Sequence, residues 1–245
     1  MTIRPILMSG PMVRAILDGR KSQTRRVLSI RGHKTFKVFG RSDTPGYDWQ
    51  FRDAEMRWHD LRDNELKARL RFAVGDLLWV KETWADVNLY GAPGIAYRAD
   101  EHIRDLMDEP DFHCEDGTFN YVHERLQFGA RGLDWSVWAS DLISGAEGNW
   151  RSPLHMPRWV SRLTLRVTDI RVQRLQAISE ADAVAEGCGP YDKSLNPNAI
   201  GPARAIFEAL WDSLNAKRGH GWDTDPWVVA VSFEAFRANV DAVTP

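Results

Sequence analysis

The chain is poor in cysteine. Two cysteines, Cys114 and Cys188, occur in 245 residues. They lie far apart and outside any CxxC or Cys/His spacing, which argues against a disulfide framework and a structural zinc motif. Long apolar runs are missing, and no stretch approaches the roughly 20 residues that a membrane helix needs. The opening residues, Met1-Thr2-Ile3-Arg4-Pro5, lack a signal-peptide pattern. Excess charge of one sign is absent too, the formal net charge being −2, so nucleic-acid contact would have to come from a local patch. These absences lead us to expect a reduced, cytoplasmic setting, no membrane partner, no metal and no cofactor.

What the chain does hold is tryptophan, eleven residues in all. Aromatics of this size bury large areas and also stack on bases, and most are expected in the core. A basic turn stands out first: Gly19-Arg20-Lys21-Ser22-Gln23-Thr24-Arg25-Arg26. It follows Pro11 to Asp18, where Val13, Ile16 and Leu17 fall at helical spacing. Pro11 suits a first helical turn, and Gly19 suits the position just past a helix end. An ordinary lysine has a pKa near 10.4, leaving about one in two thousand neutral at neutral pH. Neighbouring arginines or burial favour the neutral amine. Thr24, three residues on, is within reach if the turn folds back, and a lysine beside a hydroxyl nucleophile is a known catalytic pairing. The plain alternative is a solvated basic edge.

The order of elements suggests a fold. Ile3 to Met8 reads as a short strand and Val27 to Ile30 as another. Residues 31–69 are polar and mixed, with a helix expected late in the segment, and look inserted. Leu77 to Trp84 reads as a buried strand, with Leu78, Val80 and Glu82 on one side and Trp79 and Lys81 on the other. Either Glu82 or Lys81 lines a pocket, or one of them faces solvent at the rim. Residues 94–99 suggest a strand with Tyr97 inward, and residues 100–150 look like a second insertion. His155 sits in a connector with two prolines, near a site or simply structural. From Arg162 to Leu175 the apolar alternation changes phase at Thr168-Asp169, which implies a bulge or bend of the kind that curves a sheet. Ser179 can cap a short helix ending near Glu186-Gly187. A loop over 188–201 follows, and then a helix opened by Pro202, with Ile206, Phe207, Leu210, Trp211 and Leu214 on one stripe. Trp227 to Phe233 reads as a closing strand, and the tail from Ala238 as loose. The expected fold class is α+β: a small, bent antiparallel β-barrel with flanking helices and two large insertions, in a single domain over 1–245.

These residues resemble a known family. The run Gly19 to Arg26 resembles the ASCH signature: Gly, Arg or Lys, Lys, Thr or Ser, any residue, Thr or Glu, any residue, Arg. Phe72-Ala73-Val74-Gly75-Asp76-Leu77-Leu78 resembles the family's turn into a central strand. Leu165 to Ile170 with Ile178-Ser179-Glu180 resembles its bent strand and following helix, and Trp227 to Phe233 its last strand. ASCH domains belong to the PUA-like barrel superfamily. The chain also resembles longer phage and prophage members, and the matching segments cover roughly a third of it. The small bacterial N4-acetylcytidine amidohydrolases are most similar at the basic turn. The resemblance implies Lys21 as proton acceptor, Thr24 as nucleophile and Glu186 as proton donor to the leaving amine.

Two functions follow as expectations. One is an amidohydrolase acting on an N-acylated pyrimidine nucleoside. The other is a module that grips RNA or a modified base without amidase turnover, or that cleaves RNA. For substrate contact the candidates are Arg20, Arg25, Arg26, Glu82, Trp84, Tyr97 and His155, with Arg158 and Arg162 as further basic groups and Trp84 or Tyr97 stacking a base.

Overall fold

The computed structural model describes residues 1–33, 36–127, 135–189 and 202–243. Its strands are β1 (Ile3–Leu7), β2 (Gln23–Val27), β3 (Phe36–Arg41), β4 (Trp49–Asp53), β5 (Trp58–Leu61), β6 (Leu77–Lys81), β7 (Trp84–Leu89), β8 (Ala92–Tyr97), β9 (Ile103–Asp105), β10 (Thr164–Arg174) and β11 (Trp227–Phe236). The α-helices are α1 (Gly10–Leu17), α2 (Asp63–Arg69), α3 (Ala139–Ser144), α4 (Glu180–Ala185), α5 (Ala203–Asn215) and α6 (Val240–Val243). Three sheets result, in the orders β1-β6-β10-β11-β2, β3-β4-β5 and β7-β8-β9. No helix among the described residues is long and apolar enough to cross a membrane.

Among the described residues the fold is α+β, but the expected barrel is absent: the three sheets are separate, and none is closed or strongly curved. The physical reason lies in what alternation encodes. The phase switch does occur, because Leu165, Val167 and Ile170 are buried while Thr168 and Asp169 are both exposed. It changes which residues face inward along one continuous strand of 11 residues. Closure further requires the two outer strands to pair, and in this order β1 and β2 are the two ends. The first presumed insertion, 31–69, builds the sheet β3-β4-β5, whereas the described part of the second, 100–150, adds β9 to the β7-β8 hairpin that precedes it.

The chain divides into two compact units. The first comprises Met1–Ile3, Asp18–Leu77 and Leu165–Ala235, and the second Arg4–Leu17, Leu78–Thr164 and Phe236–Pro245.

In the first unit, Ala183 of α4 and Ile206, Phe207 and Trp211 of α5 form a core with Leu175, Ile178, Trp222 and Val228. Leu210 packs partly against it, whereas Leu214, the last residue of the predicted stripe, is exposed. Ser179 caps α4, its Oγ accepting from the Asp182 amide at 3.0 Å. Gly187, at φ +89°, ends it in the left-handed conformation that glycine adopts without strain. In β4, Trp49, Phe51 and Asp53 are buried while Gln50 and Arg52 are half-buried, a period-2 pattern. Trp49 and Phe39 meet the Trp227 ring edge-on at 5.6 and 5.2 Å. The helix expected late in 31–69 is shorter than the polar stretch suggests, because β5 takes Trp58–Leu61 before α2 begins. Residues 190–201 of the predicted loop lie outside the described residues.

In the second unit, Trp84, Ile95, Tyr97, Leu106, Phe112, Leu126, Met156 and Val160 form the core. In β6, Leu78 and Val80 are buried, with Trp79 and Lys81 half-buried on the other face. The tail contains the short helix α6, whose Val240 is buried.

Candidate functional site

The basic turn is held by backbone on two sides. The Phe233 amide donates to the Ser22 carbonyl at 2.9 Å, and the Ser22 amide to the Ala185 carbonyl at 2.9 Å. Beyond the turn, β2 runs antiparallel to β11, with Gln23 opposite Ser232, Thr24 opposite Val231 and Arg25 opposite Ala230. Lys21 forms an isolated antiparallel bridge with Glu186, the residue that closes α4. Positions far apart in sequence therefore meet because α4 ends against the start of β2.

Their side chains form a buried charged cluster. The Lys21 Nζ donates to Glu186 Oε2 at 2.8 Å, to the Glu186 carbonyl at 2.7 Å and to the Gln23 carbonyl at 2.7 Å. All three ammonium protons are thus engaged. Arg25 Nη1 donates to Glu186 Oε1 at 3.0 Å and to Gln23 Oε1 at 2.6 Å. Its Nη2 lies 3.1 Å from Asp182 Oδ2, and its guanidinium carbon lies 5.7 Å from the Phe207 ring centre. Lys21 is 3% exposed, Arg25 2% and Glu186 4%, so this is a dry network centred on one carboxylate. Burial pushes the Lys21 pKa below its ordinary value, opposed by Glu186. Burial likewise lowers that of Arg26, again opposed by Glu186. Burial pushes Asp182 upward, but hydrogen bonding from Arg171 and the charges of Arg25 and Arg171 outweigh it and leave it below the usual carboxylate range.

No family model, curated protein or solved structure matches this chain.

Lys21 and Glu186 are in contact. Thr24 is 2% exposed on the neighbouring strand. The pleat of β2 sets Thr24 and Arg26 on the face opposite Gln23 and Arg25, and no hydrogen bond joins the Thr24 hydroxyl to the Lys21 amine. Arg20 is the most exposed of the turn's three arginines, pairing with Asp18 at 2.8 Å and reaching the Gly187 carbonyl at 3.4 Å. Arg25, expected at the substrate, is buried inside the charge network instead. Asp182, in the first turn of α4, also partners Arg25 and Arg171.

The remaining candidates belong to the second unit. Glu82 is buried, and its two carboxylate oxygens accept from Arg162 at 2.9 Å each. Burial pushes its pKa up, and Arg162 opposes that rise. Arg162 also donates to Asp100 at 2.9 and 2.7 Å and lies over the Tyr97 ring at 4.1 Å. Lys81 Nζ donates to the Leu154 carbonyl at 2.6 Å. Trp84 and Tyr97 are core residues with no exposed surface, and the Tyr97 hydroxyl donates to the Val160 carbonyl at 2.7 Å. Neither ring presents a face on which a base can stack. His155 is exposed in a short 3-10 turn, and Arg158 pairs with Asp241.

Proposed function

We propose that the protein is an amidohydrolase acting on an N-acylated pyrimidine nucleoside such as N4-acetylcytidine, with Lys21, Thr24 and Glu186 as its working groups. The observation that carries this reading is the buried Lys21–Glu186 contact of 2.8 Å. The reaction needs a neutral amine to accept a proton and a carboxylic acid to donate one. A single proton passed from the Lys21 ammonium to the Glu186 carboxylate creates both at once. In water that transfer is strongly uphill. In a dry site the ion pair loses its hydration, which narrows the gap between charged and neutral forms.

Substrate binding must first turn the start of β2 so that the Thr24 hydroxyl replaces one carbonyl acceptor of Lys21; Lys21 then takes its proton as Thr24 Oγ attacks the acetyl carbonyl. Glu186 delivers its proton to the exocyclic nitrogen, the C–N bond breaks and cytidine departs. Water hydrolyses the acetyl–Thr24 ester, releasing acetate and restoring the threonine. The ion pair is re-formed in the product state. Arg20, the most exposed arginine of the turn, is the candidate among them for contact with the substrate.

A second reading is favoured by the full set of acceptors on Lys21, which suits a permanent ammonium. On that reading the turn is a structural strut in a module that binds RNA or a modified base without amidase turnover.

Deacetylation of N4-acetylcytidine, followed by mass spectrometry, separates the two. On the enzyme reading, Thr24→Ala and Lys21→Ala each lower turnover by about 10²–10⁴-fold, the usual worth of a positioned proton acceptor or its nucleophile. Salt-sensitive binding of RNA with no turnover by the wild-type chain selects the second reading.

A further inference from the structure

Away from the basic turn, the first unit brings two histidines and an aspartate together. Gly32, at φ +85°, lets the chain turn so that the His33 amide reaches the Ile30 carbonyl at 3.1 Å. Asp53 ends β4 and ties the following turn, its Oδ1 accepting from the Arg57 amide at 2.9 Å. β5 then returns beside β4 with His59 opposite Phe51. That register stacks the His59 ring on Phe51 at 4.6 Å between centroids and 12° between planes, while His33 meets Phe51 edge-on at 4.7 Å. The two imidazoles are themselves 4.9 Å apart. One ligand atom from each of His33, Asp53 and His59 falls within 4.8 Å of the others. Asp53 is buried and both histidines are half-buried, so the group opens to solvent on the imidazole side above an aromatic floor.

We propose that His33, Asp53 and His59 form a binding site for a divalent transition metal of the zinc class. Two imidazole nitrogens and one carboxylate oxygen are a donor set that suits zinc and its neighbours, not calcium or magnesium, which prefer oxygen alone. Three protein ligands leave a fourth position for water or a ligand. Metal–ligand distances of about 2.0–2.2 Å place tetrahedral donors roughly 3.4 Å apart, so side-chain rotations of about 1 Å complete the site. Asp53 Oδ2 now accepts from His59 Nε2 at 2.8 Å and from Arg57 Nε at 2.9 Å. The metal replaces the His59 proton, and Arg57, whose side chain is 68% exposed, swings into solvent.

The test is zinc titration of untagged, chelator-stripped protein against a competing chromophoric chelator. The exposed Cys114 thiol is a rival ligand, so all variants are made on a Cys114→Ser parent. One equivalent of zinc bound by that parent, with affinity lowered at least tenfold by His33→Gln and by His59→Gln, is the expected result. No zinc bound, or affinity within tenfold of the parent in a folded His33→Gln variant, overturns the proposal. Losing His59 also removes a partner of Asp53 and can disturb the hairpin. Among the described residues the His33 ring pairs with the Phe51 and His59 rings, so His33→Gln decides the matter if His59→Gln unfolds.

Discussion

Replacing Glu186 by glutamine removes the one carboxylate that Lys21 and Arg25 share. Its two oxygens accept from Lys21 at 2.8 Å and from Arg25 at 3.0 Å. At an effective dielectric near 20, unit charges about 3 Å apart attract by roughly 5–6 kcal/mol before desolvation is subtracted. Removing one partner of a buried pair costs about 3–5 kcal/mol, because the other charge is left buried without compensation. Arg25 keeps Asp182 at 3.1 Å and Lys21 keeps two carbonyl acceptors, which places Glu186→Gln in the lower part of that range, about 3–4 kcal/mol. Lys21→Met deletes the stranded ammonium while keeping its length. The double variant Lys21→Met/Glu186→Gln should therefore recover at least about 1 kcal/mol relative to Glu186→Gln alone, a coupling typical of residues in contact. Urea unfolding of the four proteins gives these values, with unchanged m-values required for the comparison. A loss below about 1 kcal/mol in Glu186→Gln, or a double variant no more stable than it, would refute the idea that this carboxylate neutralises buried cations.

Three further outcomes are expected. Asp53, Asp63, Asp100 and Asp182 are all held below the usual carboxylate range in the fold; their stabilisation is full above the unfolded pKa of about 3.9 and is lost as pH falls through their lower folded values. Urea midpoints should drop across that acid window, and Asp182→Asn should make the drop shallower. Tyr97→Phe strands the Val160 carbonyl in the second unit's core and should cost about 1–3 kcal/mol, read by urea unfolding. If Lys21 and Glu186 exchange a proton to become base and acid, turnover should follow a bell-shaped pH profile whose limbs belong to the pair as a unit; Glu186→Gln should abolish activity, not shift one limb.

Much of the local structure was legible because short-range chemistry dictates it. Pro11 and Gly19 bracket α1 closely, Ser179 and Gly187 bracket α4, and the apolar stripe of α5 reaches the core through Trp211. The phase change at Thr168-Asp169 was also real. Its meaning was not, because alternation reports which face a residue takes, whereas sheet closure depends on which strands pair at long range. Trp84 and Tyr97 illustrate the same limit, since an aromatic that reads as a stacking platform fills a core equally well. The Lys21–Glu186 contact could not come from spacing within either segment; it was reached only by likeness to a family. The His33, Asp53 and His59 group left no spacing signal at all, because the β4–β5 register and a separate glycine turn create it.

The charge cluster joins residues 165 positions apart. During synthesis Lys21 and Arg25 emerge long before Asp182 and Glu186, so for most of that time they are two hydrated cations without the carboxylates that later neutralise them. They lose their water only when the later elements α4, α5 and β11 pack around them. Loop closure over such a span is entropically costly and slow, which makes docking of α4 a late step in assembly. The carboxylate that neutralises the interior is thus also the last charged member of the cluster to be made.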